Sequence, residues 1–134
     1  MFDKQHSKPQ NRIDTLVGAT AKIEGNIQFS GGLRVDGEIN GNIVAAPGQP
    51  STLVLSEQGR VNGEISVTHL VINGTVHGPV RASEYLELLG KAKIIGDVQY
   101  GTMEIHLGAT ISGKLTHLSE QGAEKVVALK VGNE

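Results

Sequence analysis

Five histidines, two close carboxylate pairs and two glycine–lysine steps are the groups in this sequence whose types could do chemistry. Their spacing decides against most of it. His6, His69, His77, His106 and His117 never fall in the His-x-x-x-His frame that puts two imidazoles on one ion. His106 alternates with Ile105 and Leu107, so it is expected to point outward from a strand into solvent, where only the stacking of successive strands would align it with other ligands. Asp36 with Glu38, and Glu84 with Glu87, stand among charges of mixed sign, which reads as a solvated face rather than a general acid–base pair. Gly90-Lys91 and Gly113-Lys114 lack the remainder of a phosphate-binding loop. Asn73-Gly74-Thr75 matches a glycosylation sequon at a predicted bend, with no secretory signal to bring it into use. The absence of cysteine excludes disulfides, thiolate-bound zinc and thiol catalysis. The expectation is therefore no catalytic residue, no cofactor and no metal site.

Composition narrows the class further. The 134 residues carry 12 Lys+Arg against 14 Asp+Glu, a net charge of -2, which is not the positive field that binding to a phosphate backbone needs. Nucleic acid is excluded as an expected partner. No apolar run approaches the ~20 residues of a spanning helix, and the first fifteen residues are polar rather than a signal-peptide core, so a cytoplasmic location is expected. The only aromatics are Phe2, Phe29, Tyr85 and Tyr100. Any core must be built from Val, Ile, Leu and Ala.

Those aliphatic residues recur in a fixed pattern. A branched residue, a polar residue and glycine, with another apolar residue two places on, occurs around Gly25, Gly37, Gly63, Gly74, Gly96 and Gly113, and runs on into Gly41 and Gly78. An alternating apolar pair opens each repeat: Leu33/Val35, Leu53/Leu55, Leu70/Ile72, Leu86/Leu88 and Met103/Ile105. Successive first members lie 20, 17, 16 and 17 residues apart, the long interval holding the turn-rich Ala45 to Ser51 insertion.

Period two inside each repeat predicts strand. Glycine on the buried parity would leave a hole in a flat strand, so Gly25, Gly37, Gly41, Gly63, Gly74, Gly78, Gly96 and Gly113 are read as corners where the inward position has no room for a Cβ or where φ is positive. Each repeat then becomes a coil of about three short strands, and stacked coils form an all-β solenoid. About six coils fit between residues 15 and 118, about 30 Å of stack at ~4.8 Å per strand. Outward Asn40, Asn42, Asn62 and Asn73 recur beside the corners and are expected to form side-chain ladders along it.

A solenoid has two open ends, each a row of unpaired backbone groups beside exposed apolar stack. No amphipathic helix long enough to cap either one is expected from the sequence. Leu16, Val17 and Ile23 at the first coil, and Ile111 and Leu115 at the last, are the expected polymer interface, because end-to-end joining makes filaments rather than closed oligomers. Residues 1–14 are read as a flexible N-terminal tail and 119–134 as a C-terminal tail. In the latter, Val126 to Val131 is compatible with a capping strand, a self-association segment or disorder.

The repeat Leu33 to Ile43, its echo at Leu70 to Val80, the coil length and the short polar tails resemble the bactofilins, bacterial polymer-forming cytoskeletal proteins. The resemblance implies a single-domain right-handed parallel β-helix that polymerises without nucleotide, through like-end contacts giving non-polar filaments. It also implies a scaffold in cell shape or polar organisation, with cell-wall enzymes as partners. Phe2 beside Lys4 and Lys8 is similar to the short membrane-targeting segment of many bactofilins and implies attachment to the inner membrane surface; Asp3 departs from that pattern, as the Pro47 to Pro50 insertion departs from the repeat. The alternative from another class is a left-handed β-helix acyltransferase with a histidine base. It would keep a strict hexapeptide period, whereas the glycine intervals here run 12, 4, 22, 11, 4, 18 and 17.

Overall fold

In the computed structural model, residues 12–119 are described, and they wind into a right-handed β-solenoid of six coils with parallel strands throughout. Coil 1 contains β1 (Thr15–Val17), β2 (Lys22–Glu24) and β3 (Ile27–Phe29); coil 2 contains β4 (Gly31–Val35), β5 (Glu38–Asn40) and β6 (Ile43–Ala45). Coil 3 runs through β7 (Ser51–Leu55), β8 (Arg60–Asn62) and the first half of β9 (Ile65–Ile72). Coil 4 takes the rest of β9, β10 (Thr75–His77) and the start of β11 (Val80–Leu88). Coil 5 continues through β11, β12 (Lys93–Ile95) and the start of β13 (Val98–Ile105), and coil 6 ends the stack with β14 (Thr110–Ser112) and β15 (Leu115–His117).

Three faces result. The second face is the six-stranded sheet from β2 to β14; the first and third merge into one nine-stranded sheet because β9, β11 and β13 run unbroken round the corner between them. In-register pairing converts period two into aliphatic columns. Ile23, Ile39, Val61, Val76, Ile94 and Ile111 form one column, and Ile27, Ile43, Ile65, Val80, Val98 and Leu115 another. Away from the ends these side chains are buried, so each coil is covered by its two neighbours. A left-handed hexapeptide enzyme is excluded by the hand of the winding.

The corner glycines divide into two sets that the sequence pattern had merged. Gly25, Gly41, Gly63, Gly78, Gly96 and Gly113 stack in one column between the second and third faces, and a Cβ on any of the last five would meet the carbonyl of the glycine one coil below. Gly37 and Gly74 belong to the other corner, where short turns lie over longer ones: a Cβ on Gly74 would meet the carbonyl oxygens of Ser56 and Gly59. The expected crowding is therefore real, but it comes along the stack axis rather than from the interior. The longer corners close with i to i+3 hydrogen bonds, as in Gly59 N–H to the Ser56 carbonyl at 2.9 Å. Two corner types of unequal length account for the uneven glycine intervals.

Polar side chains at the corners tie coil to coil. The amide of Asn62 donates to Asn40 Oδ1 at 2.6 Å, and that of Asn40 to Glu24 Oε2 at 2.9 Å, which is the expected ladder. Asn26 and Asn42 accept the backbone N–H groups of Asn42 and Glu64, and Asp97 that of Lys114. Glu64 lies beneath Pro79, which has no N–H to receive. Asn73 accepts from the Lys91 backbone in the other corner.

The first coil is fastened by Asp14, whose carboxylate accepts the Gly32 N–H at 3.0 Å and pairs with Arg12 at 2.9 Å. The bond from Gly32, followed by the neighbouring guanidinium, holds this carboxyl below its ordinary range despite some desolvation. A depressed carboxylate contributes stability above its unfolded pKa and loses it as pH falls through the folded value. Amide exchange should accordingly show Gly32 protected at pH 6 and keeping that protection through the ordinary carboxylate range, losing it only as pH falls through the lowered folded value of Asp14. Asp14→Asn should abolish that pH dependence, and Gly32 protection that is equal in both proteins at every pH would disprove the assignment.

Candidate assembly surfaces

The two edges of the stack are β1, β2 and β3 on one side and the end of β13, β14 and β15 on the other, and they lack further strand partners among the described residues. They differ in how much apolar surface they leave open. At the last coil the inward residues Ile105 and Leu115 are 51% and 46% exposed, with Met103, Ile111 and Tyr100 partly open beside them. At the first coil Val17 and Phe29 remain buried, Ile23 and Ile27 are partly exposed, and Ile13, just before β1, is 42% exposed. The Tyr100 and His117 rings meet edge-on, with centroids 5.5 Å apart.

Of the residues expected at the ends, Ile23, Ile111 and Leu115 terminate inward columns and Val17 lies inward in β1. Leu16 does not: it pairs in register with Arg34 and is 60% exposed on the outer face. The sequence misleads here because Leu16 and Val17 are adjacent apolar residues, while Thr15, which shares the inward parity of Val17, is polar. Reasoning from the sequence missed Ile105 as an end residue, and also Leu107, which is 99% exposed on the four-residue corner of coil 6. Ile105 carried a signal, being the last member of the alternating pairs; Leu107 sits in a turn, where period two no longer operates. Phe2, Lys4 and Lys8 lie outside the described residues.

The sites of possible chemistry also resolve. His69 is only 3% exposed; its Nδ1 lies 3.2 Å from Thr68 Oγ1 and its Nε2 3.6 Å from Glu84. Thr68 in turn accepts the Ser51 N–H and donates to the Ser51 carbonyl, both at 2.7 Å. This polar knot stitches the corner that follows the Pro47 to Pro50 insertion. A groove of about 480 Å³ on the first face is lined by Val54, Val71 and Leu89 and walled by the Arg34–Asp36 ion pair and by Glu57, which pairs with Lys91 outside it. The Thr68 hydroxyl donates to the Ser51 carbonyl rather than to His69, so the imidazole beside it does not activate it as a nucleophile.

A repetitive stack whose inward columns end in half-exposed aliphatic side chains beside an open strand edge defines a β-solenoid that a second molecule can continue. Comparison with known proteins makes the class specific. The sequence profile of the bactofilins, described as polymer-forming cytoskeletal proteins, matches residues 15–116. The chain belongs to the bactofilin family. It is 27% identical over 112 residues to bactofilin BacP of Myxococcus xanthus, covering 84% of this chain and 45% of BacP. It is 26% identical over 102 residues to bactofilin BacO of the same organism, covering 76% of this chain and 78% of BacO. The chain thus spans less than half the length of BacP. No solved structure matches it.

Proposed function

We propose that this bactofilin forms cytoplasmic filaments by end-to-end joining of solenoids, without nucleotide, and that the filaments lie on the inner face of the membrane as a scaffold for cell shape or envelope organisation. The observation that carries the reading is the open last coil, where Ile105 and Leu115 end the core half-exposed. Joining like ends buries both copies of that surface and gives a non-polar filament whose firmer joint is between last coils. Negative-stain microscopy of the purified protein without nucleotide or metal tests it: filaments are expected, and a monodisperse particle would overturn it.

Membrane attachment rests on Phe2, Lys4 and Lys8. One phenylalanine contributes ~1.5 to 3 kcal/mol on burial and each lysine ~1 kcal/mol near an anionic leaflet, so a single tail binds weakly and a filament of tails binds by avidity. Phe2→Ala should co-sediment far less than wild type with anionic vesicles, after correction for filament self-pelleting. Equal pelleting would refute attachment through the tail. Cell-wall enzymes are the partners such a scaffold would position.

A further inference from the structure

Among the described strand pairs, charges that the register sets side by side are opposite in sign, with one exception. Lys22 lies beside Glu38 and Glu38 beside Arg60, whereas Glu87 lies beside Glu104. Like charges directly opposite one another weaken a ladder. These two carboxylates nevertheless do not splay apart. They converge on His106, which opens the four-residue corner of coil 6: its Nε2 is 2.7 Å from Glu87 Oε2 and 3.4 Å from Glu104 Oε2. The three candidate ligand atoms all lie within 4.8 Å of one another.

We propose that Glu87, Glu104 and His106 form a binding site for a divalent first-row transition-metal ion. The 3.4 Å separation matches neighbouring ligands around one tetrahedral ion with bonds of about 2.0 to 2.2 Å, and the 2.7 Å hydrogen bond from His106 to Glu87 would open by several tenths of an ångström to admit the ion. One imidazole with two carboxylates suits zinc, cobalt or nickel, while calcium and magnesium favour all-oxygen shells. The side chains are partly exposed, so water can complete the coordination. Tyr85 supplies the outer shell by donating its hydroxyl to Glu104 Oε1 at 2.7 Å, which leaves Oε2 turned toward His106. Tyr85 is thus a positioning residue. The ion would clamp coil 5 to coil 6, the coil at the open edge.

The competing account is that the His106 ring merely hydrogen-bonds Glu87 and holds the two glutamates together without an ion. Calorimetric titration of the full chain with zinc chloride, with and without a millimolar excess of magnesium, separates the two, and cobalt absorption reports ligation directly. We expect one zinc per chain, unaffected by magnesium. It should be lost in His106→Ala, weakened at least about tenfold in Glu87→Gln and by ~10- to 100-fold in Tyr85→Phe, and unchanged in His117→Ala. Cobalt should give visible absorption in wild type that disappears in His106→Ala. Because these side chains are on the outer face, circular dichroism should show each variant folded, and Glu87→Gln provides the same test should His106→Ala not fold. No zinc uptake by wild type at hundred-micromolar concentration, or uptake that is unchanged in both His106→Ala and Glu87→Gln, would overturn the site.

Discussion

Leu115→Arg should end filament growth and leave folded particles no larger than dimers. Leu115 closes the column that begins at Ile27, and its side chain is already 46% exposed, so in the free subunit the guanidinium reaches water and the fold survives. In a joint between last coils the same charge is desolvated in both copies without a partner, a penalty of about 3 kcal/mol or more. That corresponds to more than about a hundredfold in joint affinity. The remaining joint pairs first coils, where less apolar surface is open, so the dimer should fall to monomer on dilution. Ile23→Arg should do the reverse, blocking the first-coil joint and leaving a dimer that resists dilution. Analytical ultracentrifugation across a concentration series measures both. Monomers from both variants at every concentration would point to head-to-tail joints, and filaments of normal length from Leu115→Arg would show that the last coil is not a joint.

Much of this architecture is legible in the residues because a solenoid is a local code repeated. Period two, the spacing of the Leu33-type pairs and the recurring glycines are enough to predict strands, corners and about six coils, and Ile111 and Leu115 follow as the ends of their columns. What is not legible depends on register between coils. Leu16 reads as inward in the sequence because β1 is three residues long and contributes too little alternation to fix parity. Gly37 and Gly41 look like members of one motif, yet they occupy different corners, and only the backbone shows which carbonyl lies beneath each. His106 and Glu87 are 19 residues apart, and whether they meet depends on the length of the corners between them. The same holds for His69, whose burial is set by a corner three-dimensionally adjacent to the insertion rather than by its neighbours in sequence.

Replacing glycines by alanine should grade the fold by what lies along the axis. Gly18 has open space around it and an ordinary backbone, so Gly18→Ala should be neutral or stabilise by ~0.4 to 1 kcal/mol through the unfolded chain. Gly25 also has open space, since no coil lies beneath it, but its φ of +133° is one that side chains rarely adopt; Gly25→Ala should cost ~1 to 3 kcal/mol. Gly78 combines both effects. Its φ is +150°, and an added Cβ would meet the Gly63 carbonyl oxygen and stand 2.6 Å from its carbon. Neither group can yield cheaply, because Gly63 N–H is bonded to the His77 carbonyl and Gly78 N–H to that of Ile95, each at 2.9 Å, so relief requires parting coils 3 and 4. Strain and overpacking together put Gly78→Ala at ~2 to 6 kcal/mol, a large share of the ~5 to 15 kcal/mol that holds a domain folded. Gly74→Ala, colliding with Ser56 and Gly59 without the unusual φ, should fall between Gly25→Ala and Gly78→Ala. Urea unfolding of the four variants in the Leu115→Arg background, at a concentration dilute enough to keep that background monomeric, gives the order directly. If Gly78→Ala unfolds at the same urea concentration as its parent, the glycine column is not what sets the coil spacing, and the hydrogen-bonded ladders and corner asparagines must be setting it alone.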